Sequence, residues 1–188
     1  MHTEESQTLR RCHWLNLNNP VYVAYHDHEW GQLNLDEHYL FEMLLLECFQ
    51  AGLSWECVLM KREAFREAYD RFDVNKVANY DEIKVNELLS DARLIRHRLK
   101  IEASIGNARV FLAIEKEFGS FAKYLQTFAH HRVFCETGLT RSPLSDALSK
   151  DLKKLGMRFV GSVTIYSYLQ AIGIVNSHDD CCFLSPRS

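Results

Sequence analysis

Three groups of residues in this chain are of types that do chemistry: one glutamate inside an apolar run, cysteines and histidines near both ends, and basic side chains in a bend. The glutamate is Glu47, in "FEMLLLECFQAGLSW" (41–55). On a 3.6-residue period its neighbours are Met43, Leu44 and Ala51, while Glu42 is rotated roughly 140° away, onto the expected polar side. Glu47 is therefore expected to point inward. Burying an ionised carboxylate is costly unless it is paired, so the residue either meets an arginine or amide, or marks a site.

Cys12 and His26 near the start, and His178, Cys181 and Cys182 near the finish, have the chemistry of soft-metal ligands. A Cys2His2 set would satisfy tetrahedral zinc, and a metal joining the two ends would order segments with little apolar material of their own. Cys181 and Cys182 compete as partner of His178, and unrelated reduced thiols are the plainer alternative. The three tryptophans Trp14, Trp30 and Trp55 lie in the first 55 residues with Tyr22 and Tyr25. Such aromatics commonly anchor packing, yet flat walls beside a buried carboxylate also suit a flat cationic heterocycle. The bend "LIRHRLK" (94–100) carries Arg96, His97, Arg98 and Lys100, residues suited to phosphate contact, although a charge run is equally a solvated face. It contains no glycine to let backbone amides approach a phosphate.

The elements expected to position these groups are helical. Residues 1–35 read as irregular, with turn signals at Asn18-Asn19-Pro20 and Gly31. Asp36 caps a helix to about Gln50, and Ser54 a second from Trp55 to about Asp70. Asp73 and Asp81 are further caps. The stretches "DEIKVNELLSDARLI" and "KIEASIGNARVFLAIEKEF" read as two helices joined by "RHRL", followed by "SFAKYLQTFAH", by a helix opened at Ser142-Pro143, and by "SVTIYSYLQAIG" stopped at Gly173. No hairpin pattern or repeat occurs. The expected class is all-α, with eight or nine helices in one domain.

A formal net charge of −3 argues against a uniformly basic surface, but "RLIRHRLKIEASIGNAR" (93–109) and "KDLKKLGMR" (150–158) concentrate positive charge and leave room for a local basic face. No phosphate-binding or dinucleotide glycine motif is present, and neither Cys57 nor Cys135 has an activating neighbour for nucleophilic work. The first residues lack an apolar targeting core, and no 18-residue uncharged apolar run occurs. Six cysteines in such a chain are expected to be reduced, in the cytosol.

The stretches "RCHW", "YVAYHDHEWG", "LFEMLLLECFQAGLSW", "LIRHRLKI", "IGNAR", "SDALSKDLKKLGMRFVG" and "IYSYLQAIGIVNSH" together resemble the 3-methyladenine DNA glycosylase I family, from about Arg11 to Cys182. The resemblance implies a helix–hairpin–helix core, about 36–160, with a zinc-fastened lobe from 1–35 and 161–188. It implies one structural zinc on Cys12, His26, His178 and Cys182, and base recognition by Glu47, Tyr25 and Trp55 with Trp14, Tyr22 and Trp30 nearby. The implied activity is monofunctional hydrolysis releasing 3-methyladenine from alkylated double-stranded DNA, by a monomer with no membrane partner. Arg96, His97, Arg98 and Lys100 would contact DNA. The chain departs from the family where Arg93 and Leu99 replace hairpin glycines and Phe49 replaces a glutamine. The altered hairpin motivates a second reading, a module that recognises alkylated bases or nucleic acid without cleavage; a third is a zinc-stabilised helical interaction domain with no nucleic-acid role.

Overall fold

The structure, a computed structural model, describes residues 9–185. Among these are ten α-helices: α1 (Pro20–His28), α2 (Glu37–Gln50), α3 (Trp55–Leu59), α4 (Arg62–Ala68), α5 (Val74–Ala78), α6 (Glu82–Ser90), α7 (Arg98–Phe118), α8 (Phe121–Ala129), α9 (Pro143–Lys154) and α10 (Ser162–Ala171). The class is all-α. Two short strands, β1 (Phe134–Cys135) and β2 (Val175–Asn176), pair in parallel and depart from the strand-free expectation. Two residues are too few to leave an alternating pattern. No helix among the described residues is long and apolar enough to cross a membrane.

The expected caps form. Asp36, Ser54, Asp73 and Asp81 each accept a backbone amide from the first turn of the following helix, and Ser142 and Ser145 close a reciprocal capping box ahead of α9. Two expectations give way. The lead segment is not wholly irregular, because Asn19 accepts the amides of Val21 and Tyr22 and Pro20 occupies the first helical turn of α1. The helix expected over 55–70 is broken into α3 and α4, followed by a turn at Asp70–Phe72 in which all three residues have positive φ.

Helix α2 runs through the centre of the large core. Every residue from Leu40 to Phe49 is buried, so the helix has no polar side. This corrects the expectation for Glu42, which is inside and not facing solvent. It is held by Arg62 Nε at 2.8 Å and Arg66 Nε at 2.7 Å, and Arg62 also donates to Glu29 at 2.7 Å. The network ties α2 to α4 and to the end of α1.

A second, smaller apolar cluster joins Cys12, Tyr25, Trp30, Leu59 and Cys182, with Trp14, Tyr22, Trp55, Phe183 and Leu184 packed against it. Residues from both ends of the chain thus share one cluster. Helix α10 and Val175 pack in the large core instead, so the share of 161–188 found in the small cluster is its last part. The two bodies meet where Gly173 lies against Gln32: a Cβ at Gly173 would stand 2.1 Å from the Gln32 carbonyl carbon, and its φ of +75° is itself a glycine conformation.

Candidate base-binding site and terminal metal cluster

Between the two clusters lies a cavity of about 300 Å³ bordered by Trp14, Tyr22, Tyr25, Trp30, Glu47 and Trp55. Helix α1 supplies the tyrosines, α2 the carboxylate and the start of α3 Trp55. Tyr25 and Trp55 lie 5.4 Å apart at 48°, and Trp14 meets Trp30 edge-on at 4.8 Å. They form an angled wall, not two parallel plates.

Three polar atoms of this wall are unsatisfied. Glu47 Oε2, Tyr25 OH and Trp55 Nε1 are all buried without a hydrogen-bond partner. Burial alone drives the Glu47 carboxyl well above its ordinary range, since no cation or donor offsets it. Burial, and then the proximity of Glu47, push the Tyr25 phenol far up, and burial with Glu56 and Glu47 moves Tyr22 up to about 12. A protein rarely buries an unpaired acceptor beside two unpaired donors. Such a set can receive a planar ligand carrying positive charge, N–H donors for the carboxylate and acceptors for Tyr25 and Trp55.

Beside the cavity, Cys12 Sγ, His26 Nε2 and Cys182 Sγ lie within 4.8 Å of one another, all buried. Asp27, held low by Arg11 at 2.7 Å, must accept from His26 Nδ1 at 2.8 Å, which leaves the Nε2 lone pair for the thiols. The ring of His178 stands 5.1 Å from that of His26. Its Nδ1 bonds Asn176 at 2.9 Å, and its buried Nε2 has no partner. Gly31 makes room for this ring, since a Cβ there would come 2.6 Å from His178 Cε1. Cys181 is exposed and Cys182 buried, which decides between them for the cluster. A Cys/His/Cys group with a second, unpartnered imidazole beside it fits a tetrahedral metal in donor chemistry.

A family model described as methyladenine glycosylase matches residues 14–185. The chain belongs to the methyladenine glycosylase family. Among its relatives, DNA-3-methyladenine glycosylase 1 of Escherichia coli (strain K12) is 46% identical over 183 residues, 93% of this chain and 97% of that one. A crystal structure of 3-methyladenine DNA glycosylase I superposes with a TM-score of 0.90 at 44% identity, covering 94% of this chain and 100% of the other. A variant 3-methyladenine DNA glycosylase I crystallised in complex with 3-methyladenine superposes with a TM-score of 0.86 at 37% identity, over 89% and 94% of the two chains.

Not every residue singled out in this methyladenine glycosylase family member sits where the spacing suggested. Arg96, His97, Arg98 and Leu99 are exposed at the α6–α7 bend, with His97 capping α7. The bend is longer than "RHRL", because the Asp91 side chain accepts the Arg93 amide at 2.9 Å and ends α6 at Ser90. Lys100 is corrected: its ammonium turns inward to the carbonyls of Phe49 at 2.8 Å and Ala51 at 2.5 Å, closing the C-terminus of α2. A lysine committed to those carbonyls is not presented to a phosphate. Phe49 packs in the core on Phe65, with ring centroids 4.8 Å apart. The cavity also recruits Gln50, Ser167, Gln170, Ser177 and the rim pair His13–Asp179, none of which sequence reasoning named. They come from turns and helix faces without a local signature.

Proposed function

We propose that this chain is a monofunctional DNA glycosylase of base-excision repair that hydrolyses the N-glycosidic bond of 3-methyladenine in alkylated DNA. The observation that carries the reading is the unpaired, buried Glu47 carboxylate in an aromatic cavity. The relatives named 3-methyladenine glycosylases, and the one in complex with that base, support it. Methylation at N3 gives adenine a positive charge and makes it a neutral leaving group, so the protein needs chiefly to extrude, identify and hold it. Glu47 offers an anion to the positive charge that ordinary adenine lacks, and accepts the N–H groups of the methylated base. Tyr25 OH and Trp55 Nε1 offer donors to its ring nitrogens, while Trp14, Tyr22 and Trp30 complete the walls. Water then captures the oxocarbenium-like sugar. The cavity lining contains no lysine, which favours simple hydrolysis over Schiff-base lyase chemistry.

The α6–α7 bend is read as the hairpin of a helix–hairpin–helix, set against DNA by Arg96, His97 and Arg98 side chains. Zinc is the metal proposed for Cys12, His26, Cys182 and His178, one ion per chain, with a structural role. Bound there, it would fasten the small cluster that carries Trp14, Tyr25 and Trp30. The protein is taken to act as a monomer, in the cytosol. Elemental analysis of purified protein is expected to find about one zinc per chain, and a fully folded, metal-free preparation would refute the ligand set. For activity, the protein is incubated with alkylated duplex DNA and released bases are separated by chromatography. Release of 3-methyladenine is the expected result. Binding of the DNA without release would instead establish a non-catalytic recognition module.

A further inference from the structure

The base cavity makes no use of the second basic stretch, residues 150–158, whose last cation is Arg158. The turn after α9 brings this residue to the α6–α7 bend. Buried Asn107 of α7 clamps its backbone on both sides: the Asn107 side-chain oxygen accepts the Arg158 amide at 2.8 Å, and its nitrogen donates to the Arg158 carbonyl at 2.9 Å. The next residue, Phe159, has a φ of +58°, a left-handed conformation that a bulky side chain keeps only where its surroundings enforce it. Those surroundings include the bend. The Phe159 ring lies edge-on to the His97 ring with centroids 6.4 Å apart, and the Lys100 ammonium stands 6.0 Å from its centre.

The ion pairs at the bend determine which cations are free. Arg93 is held by Asp91 at 2.8 Å and Glu67 at 2.6 Å, and Arg98 by Glu82 at 2.7 Å and Asn86 at 2.8 Å. Lys100 is turned inward to α2. Arg96 and Arg158 are both exposed, and among the described residues neither guanidinium has a hydrogen bond, an ion pair or a ring contact. An exposed arginine alone is ordinary; one whose backbone is fixed by a buried asparagine and a strained neighbour is not, because both devices lower stability unless the position matters. We propose that Arg158 is a second phosphate contact for DNA, set beside the bend by Asn107 and Phe159, so that the duplex is gripped by Arg96 from the bend and by Arg158 from the turn after α9. This rests on the glycosylase reading above. An arginine fork takes a phosphate bidentately and is always charged, and two such points on separate segments fix the direction of a DNA strand where one fixes only its place. Arg98 reaches a phosphate only by releasing Glu82, so its share is the smaller. Arg158 contacts the nucleic acid in this scheme; Asn107 is a positioning residue.

The test is excision from alkylated duplex DNA over a range of salt concentrations by wild type, Arg158→Gln, Arg158→Lys, Arg96→Gln, Arg98→Gln and Asn107→Ala, with binding of free 3-methyladenine measured alongside. Arg158→Gln is expected to raise KM about tenfold at a fixed salt concentration while kcat is kept, and to make the slope of log KM against log salt shallower by about one. Lysine, which keeps the charge, should restore the slope and part of the KM. Arg96→Gln should behave as Arg158→Gln does, and Arg98→Gln should have the smaller effect. Asn107→Ala, which frees the Arg158 backbone, should flatten the slope in the same direction with free-base binding kept, a change that a purely structural asparagine would not produce. An Arg158→Gln enzyme with wild-type KM and salt slope, where wild type releases 3-methyladenine, overturns this proposal and leaves the glycosylase reading standing. So does a loss of kcat and of free-base binding at an unchanged slope, which would place Arg158 in the fold. Absence of any release by wild type overturns both.

Discussion

Two glutamates on one helix, five positions apart and both buried, are treated in opposite ways. Glu42 meets two arginines; although burial pushes its carboxyl up, the bonds to Arg62 and Arg66 outweigh this and hold it below the ordinary range. Glu47 meets nothing, and burial alone drives it far up. The first is a carboxylate whose charge the fold has paired, the second a carboxyl that the fold leaves without a partner beside a cavity, where burial opposes its charging. Burial by itself therefore does not mark function. The absence of a partner does, because an unpaired carboxylate lowers stability and is retained only where something else supplies the missing charge.

Substitutions at the two positions should separate cleanly. Glu47→Gln is expected to reduce excision of 3-methyladenine about a thousandfold, as when a preorganised charge is removed from a reacting centre, while the protein stays folded by circular dichroism. Unaltered excision would remove its assigned role. Glu42→Gln should do the reverse, destabilising the protein by about 3 kcal/mol in denaturant titration because the buried Arg62 keeps only Glu29 of its two carboxylate partners. A variant with wild-type stability would mean that the network is ornamental. Tyr25→Phe deletes an unpartnered hydroxyl and is expected to slow excision about tenfold, with stability kept; a large loss of stability would place the hydroxyl in the fold instead of the site.

The smallest effect concerns pH. In the unfolded chain Glu47 ionises near its usual value of 4.5, whereas in the folded protein it does so well above that. The unfolded state then releases its proton first, and the stability present in acid is lost as pH rises toward the folded value. Glu47→Gln has no such loss, so its Tm should exceed that of wild type by about 2–4 °C at neutral pH and match it below pH 4.5. A Tm difference independent of pH would show that folding leaves the ionisation of Glu47 unshifted, and a difference of the opposite sign that it is paired in solution. Glu42, with its lowered carboxyl, should give the opposite trend, its contribution vanishing as the solution is acidified.

The contrast also explains what was legible in the sequence. Glu47 was readable as inward because its helical neighbours are apolar. Glu42 was misread because a helix buried on all sides has no polar face, so a 140° rotation from one buried residue leads to another. Helix starts were legible through their caps, since Asp36, Ser54, Asp73, Asp81 and Ser142 satisfy first-turn amides by local chemistry alone. Helix α1 was missed because Asn19-Pro20 signals a turn as readily as a first helical turn. Lys100 looked like a DNA contact because its role depends on Phe49 and Ala51, about fifty positions earlier, and no local pattern records that approach. The cysteine and histidine ligands were suggested by residue type, yet only the fold places Cys182, and not Cys181, inside.

The measurement that bears most directly on the unpaired carboxylate is a crystal of this protein soaked with free 3-methyladenine. The base should occupy the cavity between Tyr25, Trp55 and Trp14, with a ring or amino nitrogen about 2.7–2.9 Å from a Glu47 oxygen. A base bound elsewhere, or seated in the cavity with no nitrogen facing Glu47, would contradict the account.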